Sequence, residues 1–548
     1  MKKTFITILI AAAACSGAAA QTAYDALLFS EKDYEGTARS MAMGNAFTAL
    51  GGDLGSIGLN PAGSAVAGYS QVTITPSISI STNRAQGVLP TDMNGPLPYF
   101  QKEMKSTMTG FSLPNYGFTL DWATGRSHGV KNVTFGFVVN RTGYWNEDIY
   151  ARGTNQTTSF MGSMAAGATA DGLSGNSLWS DDAYDYNPWK EVVGCQSGMI
   201  STFGGHDNEF VGASEVIYSD NSGNNYIELG GPLNQTSGRR IQGSRYEYLI
   251  NLGANISDFI YIGANLGITA LEYNCKDYFK ETAVDPSDFD IALDNGESMH
   301  FQGMTYKYNY DASSTGVYGK FGVLVTPGAG FRIGAAIQTP TATTVNEGWQ
   351  HAGETSYVEN KYNMSANSPY GEDEYTVISP FRANFGLAYT LGQLAVISAD
   401  YEVCNYGQMR YKVKGYDIAR DYFQDLNYEI RTSFGASHMF RLGAEVKPVP
   451  AFSIRAGYDF TTSSEKKNLM GDAVPVTYLQ NAAIGFGFSS KKSFFADFAC
   501  RYRFMTSEYS MPYADYMFDN DGNITDLAPE ILNRADVWKV VLTLGWRF

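Results

Sequence analysis

Apolar and polar residues alternate with a period of two along much of this chain. In FSIRAGYDF (452–460), Phe452, Ile454 and Ala456 occupy one face, whereas Ser453 and Arg455 occupy the other. Because successive side chains of a β-strand point to opposite faces, this pattern predicts strands that are apolar on one side only. Further windows with the same pattern are VTITPSISIS from Val72, VTFGFVVN from Val133, RYEYLINLGAN from Arg245, FRIGAAI from Phe331, MFRLGAEVK from Met439, FFADFACRYRF from Phe494 and VWKVVLTLGWRF from Val537.

The connections between these windows decide between two all-β architectures. They alternate strictly between short and long, with short connections near 124–130, 257–258, 326–330, 391–394, 447–451 and 489–493 and long ones near 83–113, 142–243, 273–314, 338–378, 404–437, 463–477 and 505–535. A soluble antiparallel sandwich also has alternating strands but does not require that rhythm. A transmembrane β-barrel with short turns on one side and long loops on the other does. We therefore predict an all-β fold, a transmembrane antiparallel barrel of about fourteen strands.

Composition agrees with a barrel and excludes other classes. Aromatic residues make up 14% of the 548 residues and charged residues only 17%, with 58 Gly, 37 Tyr and 32 Phe. Beyond the first 20 residues no apolar run approaches 18 residues, which excludes a helical membrane protein. The net charge of −16 argues against a nucleic-acid partner, which requires basic patches. The expected location is the bacterial outer membrane.

The first 20 residues have the pattern of a signal peptide. Lys2 and Lys3 precede an apolar run, and three alanines stand before Gln21. Lipid attachment at Cys15 is an alternative, but the preceding AAA lacks the usual large aliphatic residue. Cleavage leaves four cysteines, and the sequence does not define the disulfide state of Cys195, Cys275, Cys404 and Cys500.

Residues 21–68 are predicted to plug the barrel, which is formed by residues 69–548. Fourteen strands enclose more space than wall side chains can fill, and GTARSMAMGNAFTALGGDLGSIGLNPAG (36–63) is poor in charge and rich in small residues. Asp53 and Asn60 suit helix N-caps, and Pro61 suits the first position of a helix. We expect a hatch of short helical turns joined by glycines. A frayed exported N-terminus is the alternative.

These features resemble the outer-membrane long-chain fatty acid and hydrocarbon transporters of the FadL/TodX type. The resemblance rests on MAMGNAFTALGGD with GLNPAG, on FRANFGLAYTLGQLAVISADYEV from Phe381, on the segment from Phe440 and on the final strand. It implies a fourteen-stranded barrel that takes up apolar molecules and releases them through its wall. The hatch residues then predicted to contact substrate are Phe47, Leu50, Leu54, Ile57, Leu59, Asn60, Pro61 and Ala62.

Cations that face the lumen are candidates for binding a substrate carboxylate. They are Arg332, Arg441, Arg455, Arg501, Arg503 and Lys539. The alternative is a ladder of ion pairs within the lumen. Its anions would be Asp400, Glu402, Glu445, Asp459 and Asp497.

An extracellular capture segment is predicted within loop 142–243. Phe160, Met161 and Met164 recur near helical spacing and offer an apolar patch to a hydrophobic molecule. A segment that simply folds over the mouth of the barrel gives the same pattern.

Passive uptake of long-chain fatty acids or other hydrophobic molecules is the function we predict. The implied partners are hydrophobic small molecules and outer-membrane lipid, and we expect a monomer without a cofactor. No catalytic residues and no metal ligands are predicted, because the five histidines show no ligand spacing. Pro76 and Pro114 are candidate sites for a kink that opens the wall. The alternatives are a surface docking component of a protein secretion system or a haemin receptor.

Overall fold

Antiparallel strands close into a barrel in the computed structural model, which describes residues 21–88, 100–219, 225–293, 296–412, 419–466, 478–490, 493–518 and 524–548. The first strands in chain order are β1 (Gln71–Gly87), β2 (Met104–Ala123), β3 (Val130–Asn155), β4 (Ile200–Thr202), β5 (Phe210–Gly212), β6 (Glu215–Ser219), β7 (Asn225–Leu229), β8 (Leu233–Ile256) and β9 (Ile260–Ala283). Next come β10 (Asp290–Ala292), β11 (Ser298–Gly328), β12 (Phe331–Gln338), β13 (Ala342–Tyr357), β14 (Met364–Asn367), β15 (Gly371–Ile378), β16 (Arg382–Leu391), β17 (Ala395–Asn405) and β18 (Arg410–Tyr411). The last are β19 (Ala436–Val449), β20 (Phe452–Thr462), β21 (Tyr478–Ser489), β22 (Phe494–Ser510), β23 (Met517–Phe518), β24 (Ile524–Asp526) and β25 (Ile531–Arg547).

The barrel has fourteen strand positions, as predicted. Around the wall they are β1, β2, β3, β8, β9, β11, β12 with β13, β15 with β16, β17 with β18, β19, β20, β21, β22 and β25, and β25 pairs with β1 to close it. Three neighbouring positions are split at the same height, at 339–341, 379–381 and 406–409. Pro340 and Pro380 lie in two of these breaks, since proline cannot donate to the strand ladder.

A belt of exposed apolar side chains surrounds the lower part of the barrel. Val317, Phe321 and Val323 of β11 are 37–57% exposed, and equivalent outward positions follow on neighbouring strands. The wall strands β16, β17, β20 and β21 have 10 to 12 residues, which matches the length needed to cross a bilayer. The chain is thus an outer-membrane type of β-barrel, apolar toward lipid and polar toward the lumen.

On one side the wall continues far above this belt. Above Val317 the outward residues of β11 become polar, including Thr315, Asp311 and Lys307, while the strand remains paired. The long loops predicted at 142–243, 273–314 and 338–378 were therefore too wide, because much of each is strand. Outside lipid the outer face is no longer apolar, so the alternation that marks the belt is lost there. The predicted short turns are confirmed.

Helices lie inside the lumen and over its mouth. They are α1 (Ala23–Ser30), α2 (Ala38–Ala42), α3 (Phe160–Ala170), α4 (Gly175–Leu178), α5 (Ala183–Tyr186), α6 (Trp189–Gln196) and α7 (Ala419–Ser433). Short 3-10 segments span Leu54–Gly58, Pro61–Val66, Pro286–Asp288, Asn360–Tyr362 and Tyr406–Gln408. Within the described ranges, none of the helices has both the length and the apolarity needed to span a membrane. The predicted signal peptide, residues 1–20, lies outside the described residues.

Candidate functional site

The hatch is built from short helical turns, and both predicted N-caps are present. The Asp53 side chain accepts a hydrogen bond from the N–H of Gly55 at 2.9 Å, and the Asn60 side chain accepts one from Ala62 at 3.1 Å. Pro61 occupies the first position of its 3-10 segment. The Asn60 amide also donates to the carbonyl of Val323 in β11 at 3.1 Å, so the same side chain caps the hatch and ties it to the wall.

Glycines of the wall let the hatch backbone approach closely. A Cβ on Gly322 would overlap the Asn60 side chain, and one on Gly263 would overlap the Pro61 carbonyl. Equivalent inward glycines on successive strands face the hatch at Gly334, Gly386, Gly443, Gly457 and Gly485. The hatch is thus seated backbone against backbone around much of the lumen.

The apolar hatch residues predicted to contact substrate are packed against this wall. They are all buried, at 5% exposure or less: Phe47, Leu50, Leu54, Ile57, Leu59 and Ala62, as are Asn60 and Pro61. Leu54 and Ile57 pack with Val138, Leu249 and Tyr318 of the barrel. A contact with substrate would require the hatch to move, so that role stays a prediction.

The predicted lumen cations are already engaged by protein groups. Arg441 pairs with Glu402, and Arg455 bonds Glu445 at 2.6 Å. Arg332 donates to the carbonyl of Leu50 in the hatch at 2.8 Å. The geometry is that of the ion-pair ladder, the alternative considered for these residues.

Several of these ion pairs hold the segment that precedes the hatch turns. Arg501 bonds Asp33 at 3.2 Å, Arg503 also reaches Asp33, and Lys539 reaches both Asp33 and Glu35. Arg141 of β3 pairs with Glu35, and neither side chain is exposed. Sequence reasoning missed Asp33, Glu35 and Arg141, because the pairs join residues more than a hundred positions apart.

The predicted capture segment forms α3 and lies folded over the mouth of the barrel. Phe160, Met161 and Met164 are 4%, 0% and 1% exposed. The Phe160 ring stacks on Phe279 of β9, with centroids 5.3 Å apart, and lies 5.1 Å from Tyr306 of β11. Met161 faces the packed interior, whereas Phe160 and Met164 also line a cavity.

That cavity, of about 710 Å³, lies between α3, α6 and the tall part of the wall. We call it the vestibule pocket. Its apolar lining consists mainly of Ile149, Phe160, Met164, Trp189, Phe279, Tyr306, Tyr308 and Trp349. It lies above the apolar belt, because the wall strands that carry these residues are polar on their outer face at this height. A mainly apolar lining that also carries polar and charged groups is found in small-molecule sites.

Six charged residues line the vestibule pocket: Asp171, Lys190, Glu191, Arg239, Asp277 and Glu508. Arg239 and Asp277 bond each other at 2.9 and 3.0 Å. Lys190 of α6 lies with its Nζ 5.1 Å from the centroid of the Phe160 ring. Within the described ranges, no carboxylate lies within ion-pair distance of Lys190. An ammonium group beside an aromatic face can bind the head group of an anionic amphiphile.

His351 contributes a neutral polar group to the same lining. Burial, and then the charge of Lys190, lower its pKa from 6.5 to about 4. Its Nδ1 lies 2.6 Å from the hydroxyl of Tyr306. The imidazole is therefore uncharged at neutral pH and adds no charge to the pocket.

Beneath the pocket lies the N-terminal helix. Trp349 lines the pocket and also packs in a cluster with Ala23, Ala26 and Leu27 of α1. The floor of the pocket is therefore the roof of the plugged lumen.

The wall ladder is interrupted between β2 and β3. The two strands pair from Asn115 with Asn140 down to Ala123 with Asn132. Above this point Met104–Ser112 pairs only with β1, and 141–155 pairs only with β8. The Tyr144 side chain fills the space against Gly110. Pro114 lies at the point of separation, and β1 has a register shift around Pro76. Both prolines thus lie at irregularities of the wall, and a kink that opens the wall at either of them stays a prediction.

Cysteine, histidine and carboxylate side chains were candidates for disulfides or for a metal site. Among the described residues there is no group of three or more His, Cys, Asp or Glu side chains that could hold a metal ion. Cys195, Cys275, Cys404 and Cys500 are all free thiols.

Comparison with known proteins finds likeness in structure alone. No protein-family model matches the chain, and no curated protein matches it. The structure is similar to a FadL homologue of Pseudomonas aeruginosa, with 11% identity, a TM-score of 0.48 and coverage of 94% of this chain and 99% of that one. It is also similar to the toluene transporter TodX of Pseudomonas putida, with 11% identity, a TM-score of 0.47 and the same coverage. A third similar structure is the monoaromatic hydrocarbon channel CymD, with 11% identity, a TM-score of 0.43 and coverage of 92% and 96%.

Proposed function

We propose that this chain is a passive outer-membrane channel that takes up hydrophobic small molecules, long-chain fatty acids or hydrocarbons, through the vestibule pocket. The observation that carries the proposal is the pocket itself. It is an apolar and aromatic cavity of about 710 Å³ at the extracellular mouth of a membrane barrel. A docking protein would need an ordered outer surface, but it would not need this interior cavity.

Capture of a hydrophobic molecule would begin in the vestibule pocket, beside the part of the wall that rises above the apolar belt. Burial of apolar ligand surface stabilises a complex by roughly 25 cal/mol per Å², and the pocket offers aromatic faces for it. Lys190 adds a positive charge that would favour an anionic head group over a neutral hydrocarbon, provided that the head group lies nearer to Lys190 than to Asp171, Glu191 and Glu508 of the same lining. Fatty acids and hydrocarbons both have apolar surface to bury against the lining. Lys190 would distinguish the two, because only the fatty acid carries a negative charge.

Release would then proceed sideways. The hatch fills the lumen below the pocket and is tied to the wall by hydrogen bonds, glycine contacts and ion pairs. The unpaired stretch between β2 and β3 begins at Pro114, close to Phe111, which is 73% exposed on the lipid-facing side. A rotation of Tyr144 away from Gly110 would open a passage from the lumen to the outer leaflet without unseating the hatch.

Binding of a fatty acid to the purified protein tests whether the vestibule pocket is the entry site. Trp189 and Trp349 line the pocket, so a brominated fatty acid bound there should quench tryptophan fluorescence. Gly167 of α3 lines the pocket and has open space around it, and Gly167→Phe should fill that space and abolish quenching. Ala170→Phe, on the exposed end of the same helix, is the matched control. Unchanged quenching in Gly167→Phe would contradict the proposed entry site.

A further inference from the structure

A cluster of exposed cations lies on the outer face of the wall, above the apolar belt. Residues that line the vestibule pocket point inward, among them Arg239, Asp277 and Tyr306. Because successive side chains of a strand point to opposite faces, the residues next to them point outward. We call the cations on that outer face the outer cation cluster, and they are Arg152, Arg240, Lys276, Lys280 and Lys307, all exposed.

The register of the strands brings these cations together. Lys276 of β9 is directly opposite Arg240 of β8. Lys307 of β11 is directly opposite Tyr278, which lies between Lys276 and Lys280 in β9. Directly opposite side chains have Cβ atoms roughly 5 Å apart and diagonal ones roughly 7–8 Å apart, so these four cations form one continuous patch.

Few carboxylates balance the outer cation cluster. The Nζ of Lys307 is 4.0 Å from a carboxylate oxygen of Glu354. Across the described ranges, no carboxylate lies within ion-pair distance of the other four cations, although Asp148 is directly opposite Arg240 in the register of β3 and β8. Like charges that are directly opposite in a sheet are destabilising. An excess of positive charge at one place in a chain of net charge −16 indicates a negatively charged partner.

The cluster lies too high above the membrane for a phospholipid. Val317 marks the top of the apolar belt on β11, and Lys307 precedes it by ten residues. At about 3.4 Å per residue and a strand tilt of about 40°, Lys307 lies roughly 25 Å above the belt. The head-group region of one leaflet is only about 5–8 Å thick, so a phospholipid head group does not reach the cluster.

Between the belt and the cluster lies a band of uncharged polar side chains on the same outer face. We call it the polar band, and its members are Gln242, Ser244, Asn274, Ser313 and Thr315. Two acids, Glu272 and Asp311, lie among them, and Asp311 accepts a hydrogen bond from the Tyr370 hydroxyl at 2.7 Å. Amides and hydroxyls both donate and accept hydrogen bonds, as the hydroxyls of a sugar also do.

We propose that the outer face of β3, β8, β9 and β11 is a binding surface for an outer-leaflet glycolipid whose oligosaccharide carries phosphate groups. Its acyl chains lie against the apolar belt, its sugars against the polar band, and its phosphates at the outer cation cluster. Lysine and arginine form strong, charge-assisted hydrogen bonds with phosphate oxygens. The surface is on the outside of the barrel, so the proposal is independent of transport through the vestibule pocket.

Binding of two glycolipids to the purified barrel tests this proposal. The probes are lipopolysaccharide with a phosphorylated core oligosaccharide and the same molecule after removal of the core phosphates. We expect the wild type to bind the dephosphorylated form about tenfold more weakly. Equal affinity for the two forms would overturn the proposal. Binding of neither form would also overturn it, in favour of an acidic protein segment as the occupant.

Inorganic phosphate separates a glycolipid surface from a phosphate site. It should not displace the phosphorylated glycolipid when the two are present at equal concentration, because phosphate alone makes no contact with the polar band or the belt. Full displacement at that concentration would show that the cluster recognises phosphate without the sugar, and would overturn the proposal.

Two double variants locate the phosphates on the outer face. Arg240→Gln with Lys276→Gln should weaken binding of the phosphorylated form about tenfold and leave the dephosphorylated form unchanged. Arg126→Gln with Lys447→Gln removes the same charge from exposed positions near the short turns and should change neither value. Equal affinities of the two double variants would contradict the role of the cluster. If the first variant does not assemble, the wild-type affinities for the two glycolipids still decide the question.

Discussion

The lower and the upper lumen of this barrel are filled in opposite ways. In the lower part, within the lipid belt, backbone of the hatch meets glycines of the wall, and buried ion pairs join the two. In the upper part, above the belt, aromatic side chains surround an open cavity of about 710 Å³. Close backbone packing leaves no room for a ligand, whereas large side chains around a cavity leave room for one. Under the proposed function, the lower region would seal the barrel and the upper region would bind the ligand.

The largest effect is expected from the ion pair that fastens the hatch. Glu35→Gln leaves the fully buried Arg141 without a carboxylate partner, and breaking such a pair costs about 3–5 kcal/mol. Deuterium exchange in the hatch should therefore rise strongly in this variant. Glu297→Gln breaks the exposed pair with Lys361 and should have no measurable effect. Equal exchange in both variants would mean that the ion pairs do not hold the seal.

Lowering the pH should destabilise the upper region. The pKa of His351 is about 4 in the folded protein and ordinarily 6.5, so its contribution to stability is present above 6.5 and is lost as the pH falls toward 4. The full difference corresponds to roughly 3–4 kcal/mol. Exchange in α6 and β13 should increase over this range in the wild type, and His351→Gln should flatten the dependence. A wild-type profile that is flat between pH 6.5 and 4 would show that the imidazole is not held neutral by burial.

A single methyl group should disturb the seal where the hatch touches the wall. Gly322→Ala places a Cβ into the Asn60 side chain, and overpacking of this kind costs about 1–3 kcal/mol. Gly319→Ala, on the same strand, meets its nearest atoms at 3.8 Å and should be tolerated. Thermal unfolding of the two variants gives the comparison, and equal midpoints would contradict a tightly seated hatch.

The smallest effect is expected at the charge of the pocket. Lys190→Gln keeps the cavity but removes its unpaired cation, so we expect about five- to tenfold weaker binding of oleate, near 1 kcal/mol, and no change for a neutral hydrocarbon. Titration of purified protein with each ligand measures both values. An equal loss for the two ligands would show that Lys190 acts through packing and not through charge.

The two regions also differ in how far the sequence predicts them. Within the belt one face of each strand meets lipid and the other the lumen, so the alternation around Phe452 or Val537 predicts strands, short turns and their number. The helix N-caps at Asp53 and Asn60 could also be predicted, because an N-cap depends only on residues that are neighbours in the sequence. Above the belt the outer face no longer meets lipid, so apolar and polar residues no longer alternate. For this reason the upper parts of β3, β8, β9, β11 and β13 were predicted to be loops.

Contacts between distant segments escaped prediction in both regions. Nothing near Arg141 in the sequence indicates Glu35, and nothing near Trp189 indicates Trp349, because strand pairing brings these residues together only in the folded barrel. Lumen cations such as Arg455 were found from the alternation, but their pairing partners were only an alternative until the structure placed them. The vestibule pocket likewise depends on contact between α6 and β13. Trp189 of α6 and Trp349 of β13 are 160 residues apart in the sequence.

Uptake into cells tests the central claim most directly. Cells that lack their own fatty acid channel would express the wild type, Gly167→Phe or Ala170→Phe, with equal amounts of assembled barrel confirmed in the outer membrane. We predict that the wild type and Ala170→Phe take up labelled oleate and that Gly167→Phe does not. Equal uptake by Gly167→Phe, or no uptake by an assembled wild type, would contradict entry of hydrophobic molecules through the vestibule pocket.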